Sequence, residues 1–432
     1  IRIAALVFIG GAISWWIAIP VYLSIFGNPE GLDAVTLGNQ TWSQQIRYLG
    51  VGAMVVGGLW ALVSLKSAIG LAFSEGLNAF KKTDGLVKKV RTELDTPMSW
   101  VIIAVGVMLV PIFIIYLREI EDVAISSLMA IVMTLAGFLF AAVAGYMAGL
   151  VGSSNNPISG VTIATILSTA LLLLALMGSG AEKGPAAAIL IGAVVCCAAA
   201  IAGDNMQDLK AGHLLGATPF RQQIMQMVGV ISAALVLPLI LDLLNTAYGF
   251  GPITPENPDA LAAPQATLMA SVATGVFGGG LPWNMVYIGM GIGAAIIIVD
   301  EVLKARGSDF RVPVLAVAVG LYLPFELDSA IMVGGLIAWL VSLYQKRHNN
   351  REQFEEAKEH SNRTGLLFAS GLITGEALIG IALAVPVAIV GHSNLFKLIE
   401  HPMDSAVGFI VILAVCFWLY SIAVKAFKLN RE

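Results

Sequence analysis

From Val123 to Ala181 the chain runs for 59 residues without one charged side chain. That single run constrains the fold more than any motif. A helix needs about 20 mostly apolar residues to cross a bilayer, so the run holds two crossings with a bend at Ser153-Ser-Asn-Asn-Pro157. Shorter charge-free runs recur at Ile3–Pro29, Tyr48–Leu65, Thr96–Leu117, Gly184–Gly203, Gln222–Leu241, Ala377–Phe396 and Ser405–Val424. Soluble domains carry about a quarter charged residues, whereas here 12% are charged and 58% are apolar. A water-soluble enzyme is thereby excluded and the lipid bilayer becomes the solvent. The net charge of −4 argues against a nucleic-acid or other polyanionic partner.

Backbone groups must be satisfied inside lipid, so the spans are helices. A membrane barrel would alternate apolar and polar residues; Leu171-Leu-Leu-Leu-Ala-Leu176 does not. The expected fold is all-α: a polytopic membrane helix bundle with broken helices and re-entrant hairpins. Breaks are expected at 153–160, 278–284 and 324–328, where Pro and Gly cluster. The 312–345 segment reads as a hairpin of two short arms, tipped near Pro324–Asp328.

Charge is concentrated elsewhere: 17 of the 24 basic and 28 acidic residues lie in 81–95 and 346–363. Cytoplasmic loops collect Lys and Arg. Placing 81–98 and 346–365 in the cytoplasm puts 210–221, 304–311 and the tail Lys425, Lys428, Arg431 on the same side, so the C-terminus is expected to be cytoplasmic. Residues 1–432 read as one transmembrane domain. The chain begins at Ile1 directly in a span, and further spans upstream are expected.

No phosphate-binding loop and no His-Glu-x-x-His pattern occurs. Cys196, Cys197 and Cys416 lie in apolar spans and read as small core residues, and the five histidines read as loop residues. No resident metal or cofactor is expected. The informative residues are the ionisable ones within spans, since a charge at a helix centre costs about 2.5–3.5 kcal/mol on insertion scales. Glu376 is the most deeply embedded, 13 residues past Arg363 and flanked by Gly371, Gly375 and Gly380. Small residues there let another backbone approach, and the desolvated carboxyl then favours its neutral form. Glu376, Glu326 and Asp328 are the candidate proton-coupling groups; Asp242 lies near the end of its span. Asn155 and Asn156, with Asn284 at the second break, offer uncharged amides to a substrate. Asp204, Gln207, Asp208 and Lys210 follow a span directly and read as a gating loop, with Lys210 able to neutralise two aspartates that share a helix face.

Four strings occur in order: Gly149-Leu-Val-Gly-Ser-Ser-Asn-Asn-Pro-Ile-Ser-Gly160, the Asp204–Pro219 stretch, Gly320-Leu-Tyr-Leu-Pro-Phe-Glu-Leu327 and Gly371-Leu-Ile-Thr-Gly-Glu-Ala-Leu378. Together they resemble the oligopeptide transporter (OPT) family in its bacterial branch, across almost the whole chain. The resemblance implies a secondary active transporter driven by protons, in a bacterial inner membrane. It implies small peptides or, as in the yellow-stripe-like branch, metal–chelate complexes as substrates. It also implies a longer protein of two related halves, of which this chain matches from part-way through the first. The partners expected are substrate, protons and lipid, with a homo-oligomer left open. A passive channel for a small polar solute is the alternative, and pH-independent flux would favour it. An enzyme would want paired catalytic groups, and none stands out by motif.

Overall fold

The structure, a computed structural model, describes residues 1–28, 31–64, 90–151, 158–251, 263–278, 282–348, 354–391 and 405–429, with residues 70, 260, 261 and 395 singly. Helices dominate: α1 Arg2–Ala12, a π-helical turn Ile13–Ala18, α2 Ile19–Phe26, α3 Ala34–Thr41, a second π-helical turn Trp42–Ile46 and α4 Arg47–Ser64. Then come α5 Met98–Ile120, α6 Val123–Val151, α7 Ile158–Met177, α8 Gly184–Leu215, α9 Pro219–Ala247 and α10 Pro264–Val276. The last five are α11 Trp283–Ala305, α12 Val314–Tyr322, α13 Phe325–Arg347, α14 Phe354–Val390 and α15 Ser405–Leu429. Among the described residues the only β pairing is an isolated bridge between Phe250 and Leu261. Among the described residues ten helical stretches are long and apolar enough to cross a membrane, and the chain is a multi-pass membrane protein of the all-α class.

The charge-free runs mark helices, though not their ends. The 59-residue run divides into α6 and α7 as expected, and 152–157 lies outside the described residues. Helix α8 runs twelve residues beyond Gly203, because charge ends the lipid-facing part of a helix and not the helix itself. Helix α14 starts at Phe354, so the later part of the expected 346–365 loop is helical. The hairpin reading of 312–345 needs correction in one respect. Its first arm is short, but α13 has 23 residues and is long enough to span by itself.

The chain divides into two contact units, and α9 and α12 are each shared between them along the chain. In the unit formed by 40–235 and 264–318, α8 packs on α6 and α7, and α4 packs on α11 and α7. The α4–α11 seam is built on glycine. A methyl group added at Gly289 would lie 2.8 Å from the Leu49 carbonyl carbon, and one at Gly293 would lie 2.9 Å from the Ala53 Cα. With little hydrophobic drive between helices in lipid, such close backbone contact is what binds them. Helix α7 buries Thr162, Thr165 and Thr169, and each hydroxyl donates to a carbonyl of its own helix. Buried hydroxyls are thus satisfied without a partner helix. At one end of α5, Lys183 pairs with Glu121 and holds that carboxyl below its usual range, chiefly through the hydrogen bond.

In the unit formed by 1–39, 236–263 and 319–432, α1 packs on α13, α13 on α15, and α15 on α14. Buried Ser361 donates to the Ala423 carbonyl at 2.7 Å and accepts from the Gln345 amide at 3.0 Å. Gln345 also donates to Asn362 at 3.1 Å. Large apolar side chains of α5, α9, α14 and α15 are exposed along their lengths, as lipid-facing helices require.

Candidate functional site

The unit formed by 1–39, 236–263 and 319–432 holds the arrangement that looks most like a working site, and a missing hydrogen-bond donor creates it. In a regular helix the Gly320 carbonyl would accept from the N–H four residues on. That residue is Pro324, which has none. Helix α12 therefore stops at Tyr322 and α13 restarts at Phe325. Leu323 still donates to Val319 at 2.8 Å, and Leu327 donates to the Pro324 carbonyl at 3.0 Å. The irregular backbone is thus Leu323–Pro324 alone, not 324–328. Glu326 and Asp328 lie in the first turn of α13, where a helix N-terminus favours negative charge.

Helix α1 fits against this break through three glycine contacts. A methyl on Gly320 would overlap the Val7 carbonyl oxygen and stand 3.1 Å from the Gly11 nitrogen. A methyl on Gly11 would overlap the Asp328 carboxylate, and one on Gly335 would stand 3.5 Å from the Ile1 Cα. Just after Gly11 the helix widens into the π turn, where Ile19 N–H donates to the Ser14 carbonyl. Such turns are rare and recur at functional sites. Buried Ser14 donates its hydroxyl to the Leu321 carbonyl at 2.8 Å. Phe8, Trp16 and Phe325 stack beside it, with ring centroids 5.4–5.7 Å apart.

Asp328 is fully buried at 0% exposure, and neither carboxylate oxygen has a hydrogen-bond donor among the described residues. Burial of an unpaired carboxylate is strongly unfavourable. Glu326, two residues earlier, is exposed. Glu376 lies on an exposed stretch of α14, with no hydrogen bond or ion pair among the described residues. Methyls on Gly371, Gly375 and Gly380 would meet nothing within 4 Å, so no backbone approaches there among the described residues. The structure does not bring Glu376 to Asp328 or Glu326.

Asn155 and Asn156 lie outside the described residues. Asn284 is exposed in the first turn of α11. The expected gating loop is helical: Asp204, Gln207, Asp208 and Lys210 all sit exposed on α8, because the turn comes only at Gly216–Thr218. Gly216 has φ 71°, and Ala217 N–H closes onto the Gly212 carbonyl at 2.8 Å, a Schellman-type ending. Asp208 is held by amides and not by Lys210. Gln226 donates to its carboxylate at 3.3 Å and Gln222 to its carbonyl at 2.9 Å. A strap before α5 is tied to the same turn. Arg91 donates to the Gly216 carbonyl at 2.9 Å and to Thr218 at 3.2 Å, and Thr96 donates twice to Gln223. Two open grooves of about 440 and 690 Å³ border this amide cluster, both lined by Asn205 and Gln226.

Sequence reasoning missed Gly11, Ser14, Gln222, Gln223 and Gln226. The pairing of Ser14 with Leu321 crosses 307 positions, and no local pattern carries it. Among the histidines, His213 and His360 are helical and not in loops, while His392 and His401 lie outside the described residues. Cys197 is exposed on α8 and is not a core residue.

Broken helices, a glycine-lined helix seat and a buried carboxyl within spanning segments mark a polytopic membrane protein. The sequence model for OPT oligopeptide transporter protein matches residues 1–387, and the chain belongs to the OPT family. A Haemophilus influenzae protein named for oligopeptide transport is 33% identical over 88% of this chain and 63% of its own length. A protein of Oryza sativa subsp. japonica, named for metal-nicotianamine transport, is 30% identical over 49% of this chain and 30% of its own. A second rice protein, named for iron-phytosiderophore transport, is 23% identical over 40% of this chain and 25% of its own. The chain spans less than two thirds of the length of each. No solved structure matches it.

Proposed function

We propose that the chain forms the transport domain of a secondary active transporter that uses a proton gradient to move small peptides or metal–chelate complexes across a bacterial inner membrane. The names of the relatives support the two substrate classes. The observation that carries the coupling is Asp328, a buried carboxyl with no hydrogen-bond donor among the described residues, beside a helix break. An ionisable residue in such a place is a functional candidate by default. It is tolerable as the neutral acid and intolerable as a bare anion, so its proton must come and go with exposure to water. Glu326 and Glu376 are exposed, and we assign them the weaker claim.

The orientation is part of this reading. The Arg91 contact with the α8–α9 turn supports placing the basic stretches 81–91 and 210–221 at one end. The contact of His360 with the Ala426 carbonyl does the same for 346–363 and the basic tail. On charge grounds we take each of these ends as cytoplasmic.

The substrate is tested on the purified full-length protein, with a thermal-shift screen of di- to tetrapeptides and of iron chelates. The hits are then offered as labelled substrates to proteoliposomes. Accumulation that appears only with an imposed pH gradient supports the proposal. Equilibration that ignores the gradient indicates a passive channel instead.

A further inference from the structure

We infer that the contact between Gly11 and Asp328 is a latch: α1 stays seated on the α12–α13 break while the Asp328 carboxyl is neutral, and leaves its seat when the carboxylate ionises. The inference rests on the proton-coupled reading above and adds to it the part that moves.

The seat is close-packed. Gly11, Gly320 and Gly335 bring α1 onto α12 and α13 so closely that each would clash if it carried a methyl. Apart from Asp328, the one polar side chain at this seat with a described bond is Ser14, whose hydroxyl is already given to Leu321. Among the described residues no charged side chain pairs with the carboxyl. Helix α12 has no charged residue, and its Tyr322 is buried. Helix α1 has only Arg2, nine residues before Gly11. On α13, Glu326 is exposed, and Lys346 and Arg347 lie in the last turn.

A neutral acid can sit against Gly11, because it needs no counter-charge. An anion in the same place has lost its water and gained nothing, so water must reach it. The nearest route is separation of α1, whose π turn starts two residues after Gly11. Proton binding and helix seating are then linked, and each must favour the other by the same free energy.

The test uses the full-length protein in proteoliposomes, with Cys196, Cys197 and Cys416 replaced by serine and Ser14→Cys as the reporter. A membrane-impermeant thiol reagent is applied from acidic to mildly alkaline pH. The latch predicts labelling that rises with pH more steeply than thiol ionisation explains. Asp328→Asn, which stays neutral, should remove that excess and leave slow labelling throughout. Gly11→Ala should hold the seat open and give fast labelling at every pH. If Gly11→Ala does not fold, the Asp328→Asn comparison decides the matter alone. Labelling in Asp328→Asn that still follows the parent's pH curve overturns the latch. Uptake measured in the same vesicles separates the two ideas. Loss of pH-driven uptake with an unchanged labelling curve leaves proton coupling standing and the latch refuted. Retained pH-driven uptake refutes coupling at Asp328, while a lost labelling response still supports the latch.

Discussion

The α4–α11 seam permits a test in which one substitution destabilises at a seam glycine and is silent at a glycine outside it. At Gly289 the nearest atoms to an added methyl are backbone atoms of Leu49, with the carbonyl carbon and Cα both at 2.8 Å. Ordinary carbon contacts optimise at about 3.5–4.0 Å, so the helices must part by most of an ångström. Backbone cannot rotate away as a side chain could. The reciprocal contact, Gly52 against Val286 and Met290 on α11, is strained by the same shift. Overpacking of this kind costs about 1–3 kcal/mol. At Gly137 on α6 a methyl meets nothing within 4 Å. Gly137 is buried, yet an added methyl there has room, so Gly137→Ala should not lower stability. Thermal unfolding of the purified protein in one detergent, followed by intrinsic fluorescence at a fixed scan rate, reads both. Gly289→Ala should lower the midpoint by several degrees and Gly137→Ala should leave it unchanged. Equal midpoints for the two variants would refute the claim that backbone contact at glycine holds this seam.

Three further outcomes follow from single contacts. Ser361→Ala removes a buried hydroxyl that serves both Gln345 and Ala423; it should cost about 1–3 kcal/mol, seen as a lower unfolding midpoint. Gln223→Leu leaves both the N–H and the hydroxyl of Thr96 without their acceptor, and hydrogen exchange at 94–98 should speed up while that of α13 does not change. Lys183→Met frees the exposed Glu121 carboxyl, which the lysine holds below its usual range. The stabilisation from that pair is present at neutral pH and lost as pH falls through the lowered value, so parent and variant should differ least in acid.

Helix number and rough span positions were legible because lipid forbids charge, and charge-free runs such as Val123–Ala181 can be read by eye. The Pro324 break was legible for the same kind of local reason, a missing N–H. What could not be read was which way a residue faces. Distance from any charge along the chain singles out Glu376. Depth along a helix says nothing about its face, and α14 leaves Glu376 exposed. Its neighbouring glycines suggested a close backbone, but glycine permits contact without causing it. The glycine that does receive a carboxyl is Gly11, 317 positions from Asp328 in sequence, beyond the reach of periodicity. The charges of Asp204–Lys210 end the lipid-facing part of α8 and not the helix, and sequence alone does not separate the two.

The central claim is that Asp328 carries the proton that drives transport. The most direct measurement is substrate accumulation by the full-length protein in proteoliposomes under an imposed pH gradient, with Asp328→Asn set against the parent, Glu326→Gln and Glu376→Gln. Asparagine keeps the size of the side chain and cannot titrate. The account predicts that Asp328→Asn still exchanges substrate across the membrane but no longer concentrates it, while both glutamine variants still do. Accumulation by Asp328→Asn that matches the parent would contradict the account.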